Sequence, residues 1–341
     1  MLNDTLEQVF SEFTEPSHGK KMRWLEPNDK VSKLGTAFKV PILTANFKPV
    51  KVRHVPILEP STGDLKALIS NVDYASIMTP PVKKIPIERL SDEDGRNVNA
   101  FIEEMTDKPI IEVFSELFIG KTEKLSSVKS TLRMAIEKLT VVQTDEKNRI
   151  NRRYRTLPVF DDNNVMVGML SYTDILKKIH NCEEFTSKRI KDSNIYKPAE
   201  GLTTLECDKT LYDAVMILEG ALFTHIPIIK KEGSRIVTGI VDDLTIATYQ
   251  HPILFESFSE LPLHEIQTMV SEENTVKPTD SVRDVIEKFL TVTYPDRPTA
   301  ILVCTKDNNE ELVLAGIVSY TDLLKKFVSW QQGNIQPDQE E

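Results

Sequence analysis

The sequence predicts an α/β protein built from four copies of one unit, in the order strand, helix, strand, strand, helix. The main observation is that GMLSYTDILKK at 168–178 recurs almost unchanged as GIVSYTDLLKK at 316–326. Each copy reads as a short apolar strand entered through a glycine, followed by a Ser-x-x-Asp step that opens a helix. The residues of this step are Ser171 and Asp174 in the first copy and Ser319 and Asp322 in the second.

Two fainter copies complete the set of four. ALISNVDYA at 67–75 has Ala67 in place of the glycine, and GIVDDLTIA at 239–247 has Asp242 and Thr245 at the Ser and Asp places. Upstream of each copy, a polar or basic residue leads through proline into an apolar strand, which we call the middle strand. This second phrase occurs as RHVPIL at 53–58, RTLPVF at 155–160, THIPII at 224–229 and, without the inner proline, PTAILV at 298–303.

An inserted segment separates the first two units. Unit one (30–79) is predicted to contain a helix at 29–39, a strand at 53–58, a turn at 61–64, a strand at 65–69 and a closing helix from Ser70. The insertion at 80–112 regains a helical pattern through Phe101, Ile102 and Met105. It explains why the first two copies of the phrase lie further apart than the later ones.

The later units follow the same plan. Unit two (113–180) begins with a helix at 126–141 and carries a basic run before its middle strand, formed by Arg149, Arg152, Arg153 and Arg155. Unit three (189–250) has a first strand at 202–206 and then a helix. Unit four (264–328) repeats the order of strand, turn and helix in NTVKPTDSVRDVIEKFL at 274–290.

The two ends of the chain lie outside the repeats. Residues 2–13 place five apolar side chains on one helical face, with Asn3 or Asp4 as the cap. These five are Leu2, Leu6, Val9, Phe10 and Phe13. The pattern favours packing of this helix on the body of the protein over binding of a partner, and 14–29 is assigned to a linker. The polar tail at 331–341 is predicted to be disordered.

The composition of the chain excludes some classes of function. A chain of 341 residues with 40% hydrophobic and 7% aromatic residues is typical of a folded protein of two domains. It contains no apolar run of the roughly 20 residues that span a bilayer and no signal peptide, so we expect a cytoplasmic protein with no membrane partner. A net charge of −10 argues against nucleic acid, and three widely spaced cysteines indicate reduced thiols.

The four units with GhhSxxD entering the last helix resemble the cystathionine β-synthase (CBS) domain repeat. In that family two repeats pair through their sheets into a Bateman module, and two modules can form a flat disc, as in the gamma subunit of AMP-activated protein kinase. The resemblance implies module 1 at 30–180 and module 2 at 181–330. It also implies a non-catalytic regulatory protein that binds AMP, ADP, ATP or S-adenosylmethionine between paired repeats and controls a kinase, another enzyme, a transporter or a second copy of itself.

The repeated phrase has two interpretations. Ser-x-x-Asp is an ordinary helix cap, and the same residues can also bind a nucleotide, because a helix N-terminus attracts phosphate and a carboxylate accepts hydrogen bonds from ribose hydroxyls. By the family pattern, the predicted sites centre on Asp73, Asp174 and Asp322, with a degraded site at Thr245. The other predicted ligand-binding residues are Ser70, Ser171, Ser319, Arg53, His54, Arg153, Arg155, His225, Thr204 and Thr275.

Two other functions remain open at this stage. The repeats could form a scaffold for protein interactions with empty clefts, which the changes at Ala67 and Thr245 favour. An enzyme that transfers or hydrolyses phosphate would need a base or a metal site. The sequence contains no H-E-x-x-H, G-x-S-x-G, phosphate loop or Cys-x-x-Cys, so we predict neither catalytic residues nor a metal or other cofactor.

Overall fold

The four predicted units appear in the computed structural model as helices, each followed by a pair of antiparallel strands. The model describes residues 1–10, 24–38, 54–70, 74, 100, 103–114, 127–140, 143–144, 151–152, 156–163, 165–220, 224–242, 245, 260–291, 298 and 300–334. The predicted closing helices of units one and three lie outside these residues, except for Tyr74 and Thr245, which are both helical.

A helix of four residues lies before the first long helix of each unit. The elements of the first half are α1 (Leu6–Val9), α2 (Val31–Phe38), β1 (His54–Leu58), β2 (Leu65–Ser70), α3 (Ile110–Val113), α4 (Leu132–Thr140), β3 (Gln143–Thr144), β4 (Asn151–Arg152), β5 (Thr156–Phe160), β6 (Met166–Ser171), α5 (Tyr172–His180) and α6 (Glu183–Thr186). Residues 103–107 are also helical, as predicted for the end of the insertion. The elements of the second half are α7 (Ile190–Ser193), β7 (Lys197–Pro198), β8 (Leu205–Glu206), α8 (Leu211–Gly220), β9 (His225–Ile229), β10 (Val237–Asp242), α9 (Leu263–Ile266), β11 (Thr268–Met269), α10 (Val282–Thr291), β12 (Ala300–Lys306), β13 (Leu312–Ser319) and α11 (Tyr320–Asn334).

All four strand pairs share one register. The first residue of the middle strand always lies opposite the residue that ends the next strand: His54 with Ser70, Thr156 with Ser171, His225 with Asp242, and Ala300 with Ser319. The register also shifts at the same point in each pair, just before Ala67, Gly168, Gly239 and Gly316. This register corrects the alignment of the fourth phrase, which starts at 299 rather than 298 and has Leu302 in the place of the proline.

The first strand of each unit is short. It is reduced to a single parallel bridge at Leu25, Ser127 and Val276, and to the two residues of β8 in unit three, where 202–206 was expected. Leu25 lies in the segment assigned to the linker, yet its N–H donates to the Pro56 carbonyl at 3.1 Å and its carbonyl accepts from Leu58 at 2.9 Å. This part of the linker is therefore the first strand of unit one.

A short segment before each unit, which we call its leader, packs on the other unit of the pair. The leaders are 1–10, 109–114, 189–198 and 262–270. At each leader, the first amide of the short helix donates to the carbonyl two residues before the first helix of the other unit: Leu6 to Ser130, Ile110 to Asp29, Ile190 to Asp280 and Leu263 to Lys209, at 2.7–2.9 Å. In the second pair, β7 then joins β13 of unit four and β11 joins β10 of unit three. The exchange is reciprocal and pairs unit one with two and unit three with four.

The reciprocal packing of the leaders changes the interpretation of the predicted helix at residues 2–13. The predicted helix at 2–13 is a single turn, α1, capped by Thr5 rather than by Asn3 or Asp4, and residues 11–13 lie outside the described residues. Leu2, Leu6 and Phe10 are buried as expected, against unit two. The segment is therefore the leader of unit one and part of its module.

Two kinds of core hold the units together. The paired sheets share apolar clusters, which include Leu58 with Phe160 in the first pair and Val237 with Leu314 in the second. A larger cluster joins the helices of unit two to those of unit four, where α5 packs on α10 and α4 packs on α11. Helix α11 runs to Asn334 and packs Trp330 against Phe185, with ring centroids 5.3 Å apart, so the predicted tail does not begin at 331.

Candidate functional site

The closing helices of units two and four begin in the same way. The Ser171 amide and hydroxyl donate to Asp174 Oδ2 at 3.0 and 2.6 Å, and the Asp174 amide donates back to Ser171 Oγ at 3.4 Å. Ser319 and Asp322 repeat this arrangement at 3.2, 2.5 and 3.3 Å. Each carboxylate uses only Oδ2 in the cap, so Oδ1 is the oxygen that a ligand would contact.

Capping alone reproduces this geometry elsewhere in the chain. Ser281 and Asp284 form the same box at α10, with the serine amide and hydroxyl both 2.7 Å from Asp284 Oδ2, and Thr210 and Asp213 form it at α8. The difference is position, because Ser171 and Ser319 are the last residues of β6 and β13 and lie opposite the start of a middle strand. The location of the box, rather than its hydrogen bonds, marks a candidate cleft.

In unit three the carboxylate belongs to the residue that ends the strand, where units two and four have a serine. Asp242 Oδ1 accepts from the Thr245 amide at 2.7 Å and from the Thr245 hydroxyl at 2.8 Å. Asp242 therefore caps the helix as predicted, and the acid now lies at the end of the strand. His225, opposite Asp242, has Nδ1 2.9 Å from Thr224 Oγ1.

The other predicted residues divide into three groups. His54 and Ser70 lie opposite each other at one end of the first strand pair, whereas Arg53, Asp73, Arg153 and Arg155 lie outside the described residues. Thr204 and Thr275 occupy the same place, one residue before the first-strand contact with the middle strand. The side chain of Thr275 is buried and its hydroxyl donates to the Ser271 carbonyl at 2.8 Å, so this hydroxyl is already engaged inside unit four.

The sequence prediction missed the residues that the leaders bring to the clefts. A Cβ atom on Gly316 would lie 2.3 Å from the Lys197 carbonyl oxygen, and one on Gly239 would lie 2.3 Å from Gln267 Oε1. Gly239 and Gly316 thus allow the leaders of the second pair to cross these two strands closely. The glycine of the repeated phrase was a visible signal of close approach, but nothing in the local sequence identified the approaching segment.

The groups at these positions are suited to binding. Hydroxyls, carboxylates and the amides of a helix N-terminus can hold a polar ligand by hydrogen bonds.

Among the described residues, no group of three or more His, Cys, Asp and Glu side chains could hold a metal ion. The described part of the chain also has no helix long and apolar enough to cross a membrane. All three cysteines are free thiols, and burial raises the pKa of Cys304 to about 12.

Comparisons with known proteins agree with the repeat. The family model of the CBS domain matches residues 105–181 and 263–329. No curated protein matches the chain in sequence. Among solved structures, a Methanocaldococcus jannaschii protein described as a proposed archaeal homologue of g-AMPK matches 93% of this chain and 99% of its own, with 17% identity and a TM-score of 0.62.

Two further structures match with lower scores. A conserved protein from Pyrococcus horikoshii covers 81% of this chain and 92% of its own, with 19% identity and a TM-score of 0.48. The Arabidopsis thaliana CBS-pair protein CBSX2 covers 43% and 99%, with 16% identity and a TM-score of 0.34, and CBSX2 has also been crystallised in complex with AMP. At these identities the likeness concerns the fold, and the fold comparison depends on the Methanocaldococcus jannaschii protein, which covers 93% of the chain.

Proposed function

Since the chain is built from CBS repeats in two modules, we propose that it is a non-catalytic regulatory protein that senses an adenosine ligand and controls a partner protein. The observation that carries this proposal is the pair of Ser-x-x-Asp boxes at Ser171 and Ser319. Each box lies where a middle strand starts, and each leaves one carboxylate oxygen outside the cap. The boxes at Ser281 and Thr210 do not share this position, because they open α10 and α8 and do not end a strand.

The chemistry of a nucleotide fits these groups. Vicinal ribose hydroxyls would donate to Oδ1 of Asp174 or Asp322, and phosphate would lie near the amides at the start of α5 or α11. Arg153 and Arg155 precede Thr156 in the sequence, and Thr156 lies opposite Ser171, so their guanidinium groups are proposed to contact phosphate. His54 and His225 hold the place of Thr156 in units one and three and are proposed to line the same side of their clefts. The likeness to the archaeal protein described as a g-AMPK homologue supports the same ligand class.

Regulation follows from where the boxes lie. Asp174 and Asp322 are in the first turns of α5 and α11, and these two helices belong to the cluster that joins the modules. A ligand that binds better to one arrangement of these helices would shift the protein towards it and alter the surface seen by a partner. The partner is proposed to be a kinase, another enzyme, a transporter or a second copy of this chain.

A scaffold without ligand is the second candidate. This candidate is supported by the internal bond of Thr275, by the apolar Ala300 opposite Ser319 and by the boxes at Ser281 and Thr210, which repeat the pattern away from any cleft. In that case the clefts would stay empty and the repeats would present interaction surfaces.

A binding screen separates the two candidates. We would measure thermal unfolding with adenosine, AMP, ADP, ATP and S-adenosylmethionine, and confirm each response by calorimetric titration. A ligand at 100 times its dissociation constant stabilises the folded state by about 2.7 kcal/mol, which gives a clear shift in Tm. No response across the panel would refute the sensor and favour the scaffold. Phosphate release from ATP with added magnesium would instead indicate an enzyme.

A further inference from the structure

Lys197 reaches the unit-four cleft from another unit. It belongs to the leader of unit three, and the pairing of β7 with β13 sets it opposite Ile317, two residues before Ser319. Its Nζ atom lies 3.6 Å from Asp322 Oδ1. The Lys197 side chain is 56% exposed and that of Asp322 is 18% exposed, so the ammonium approaches the carboxylate from the solvent side.

Lys197 lies near Oδ1 of Asp322, the carboxylate oxygen that takes no part in the cap. Ser319 holds Oδ2 of Asp322 through its amide and hydroxyl, while Lys197 is near Oδ1. The equivalent place in unit three, opposite Ile240, is occupied by Thr268, which carries no charge. Of these two leader crossings, that of unit four carries a cation and that of unit three does not.

We infer that Lys197 is a specificity-determining residue, which makes the unit-four cleft favour phosphorylated adenosine ligands over adenosine itself. This inference rests on the proposed function. Adenosine must displace the ammonium from Asp322 and offers it no anionic partner. A nucleotide also displaces it, but the phosphate oxygens accept hydrogen bonds from the ammonium in return. The same residue thus lowers the affinity for a nucleoside and retains the affinity for a nucleotide.

The test compares AMP with adenosine in the full chain. Both ligands are titrated calorimetrically into an Asp174→Ala background, which weakens the unit-two cleft, with and without Lys197→Met. The AMP-to-adenosine affinity ratio is expected to fall about two- to fivefold in Lys197→Met, the range expected when a largely exposed ion pair is removed. Lys197→Arg should keep the ratio because it keeps the charge. Lys191→Met, an equal loss of charge on an exposed residue of the same leader, should keep it too.

The outcomes separate this inference from the function on which it rests. Unchanged ratios in Lys197→Met, with normal binding of both ligands, would overturn the role of Lys197 and leave the sensor intact. A fall of the same size when Asp322→Ala is also present would overturn it as well, because Lys197 would then act elsewhere. Failure of the parent to bind either ligand would overturn the proposed function and this inference together.

Discussion

The rings of Tyr172 and Tyr320 stack face to face, with centroids 5.7 Å apart and planes inclined by 6°. Each tyrosine directly follows the serine of its capping box, so equivalent residues of units two and four meet at the interface between the modules. The Tyr172 hydroxyl donates to the Leu139 carbonyl, and Phe289 packs on Tyr320 with centroids 4.2 Å apart. The two intact boxes are thus adjacent to one shared aromatic contact.

Truncation of this contact should weaken the interface. We expect Tyr320→Ala to lower the free energy of unfolding by about 3 kcal/mol, because it removes a large buried ring from a packed cluster. Urea unfolding followed by Trp330 fluorescence, in a Trp24→Phe background, would measure this loss at the interface itself. Tyr320→Phe keeps the ring and is the control. Equal stability of the Ala and Phe variants would show that the stack contributes nothing.

The two capping boxes of unit four allow a matched test of the ribose role. Asp322→Ala and Asp284→Ala should each cost about 1 kcal/mol of stability, because each removes the same cap interaction. Only Asp322→Ala should also weaken nucleotide binding, and titration of both variants with AMP would show the difference. If the two variants bind AMP like the parent, Asp322 is a structural cap and its ribose role is wrong.

Restoring a carboxylate in unit three requires two changes. Thr245→Asp alone would place a second carboxylate near Asp242 Oδ1 and remove the hydrogen bond of the Thr245 hydroxyl, whereas the bond from the amide of residue 245 does not depend on the side chain. We expect this single variant to lose about 1 kcal/mol through the lost hydroxyl bond and the repulsion between like charges. Asp242→Ser with Thr245→Asp recreates the box of units two and four and should regain stability in thermal unfolding. A double variant as unstable as the single one would contradict this reading of the cap.

The glycines at the leader crossings should differ in their tolerance of alanine. Gly316→Ala would collide with the Lys197 carbonyl and the Tyr196 ring, whereas Gly239→Ala would collide with the Gln267 side chain from Cγ to Oε1. Backbone cannot move aside as a flexible side chain can, so we expect a loss of about 1–3 kcal/mol for Gly316→Ala and a smaller one for Gly239→Ala. Chemical unfolding of both variants would test this order, and a greater loss in Gly239→Ala would reverse it.

The sequence predicted those strands and helix starts that depend on residues close together in the chain. The proline phrase, the glycine and the Ser-x-x-Asp step identified the middle strands, the strands that follow them and the helix starts, because each reflects a requirement within a few residues. The boxes at Ser171 and Ser319 therefore formed as predicted. The sequence could also show that Thr245 was different, although not that its hydroxyl donates to Asp242.

Long-range pairing could not be predicted in the same way. The bridges of Thr5 with Thr131 and Arg189 with Ser281 join segments with no shared pattern, and their stability comes from burial on a distant unit. The sequence therefore assigned Leu25 to a linker and gave no indication of Lys197 beside Asp322. Alignment within the repeat finds equivalent residues, whereas the composition of each cleft depends on which leader crosses it.

Because each leader packs on the other unit of its pair, the order of synthesis determines when the apolar residues of the leader of unit one can be buried. Leu2, Leu6 and Phe10 are synthesised well before Leu132 and Leu139, which form part of the surface that buries them. Synthesis at roughly 5–20 residues per second separates these two groups by several seconds. During that time the leader of unit one carries an uncovered apolar face. It is thus made before the rest of its module, yet it can be sheltered from water and from chaperones only after unit two has been made.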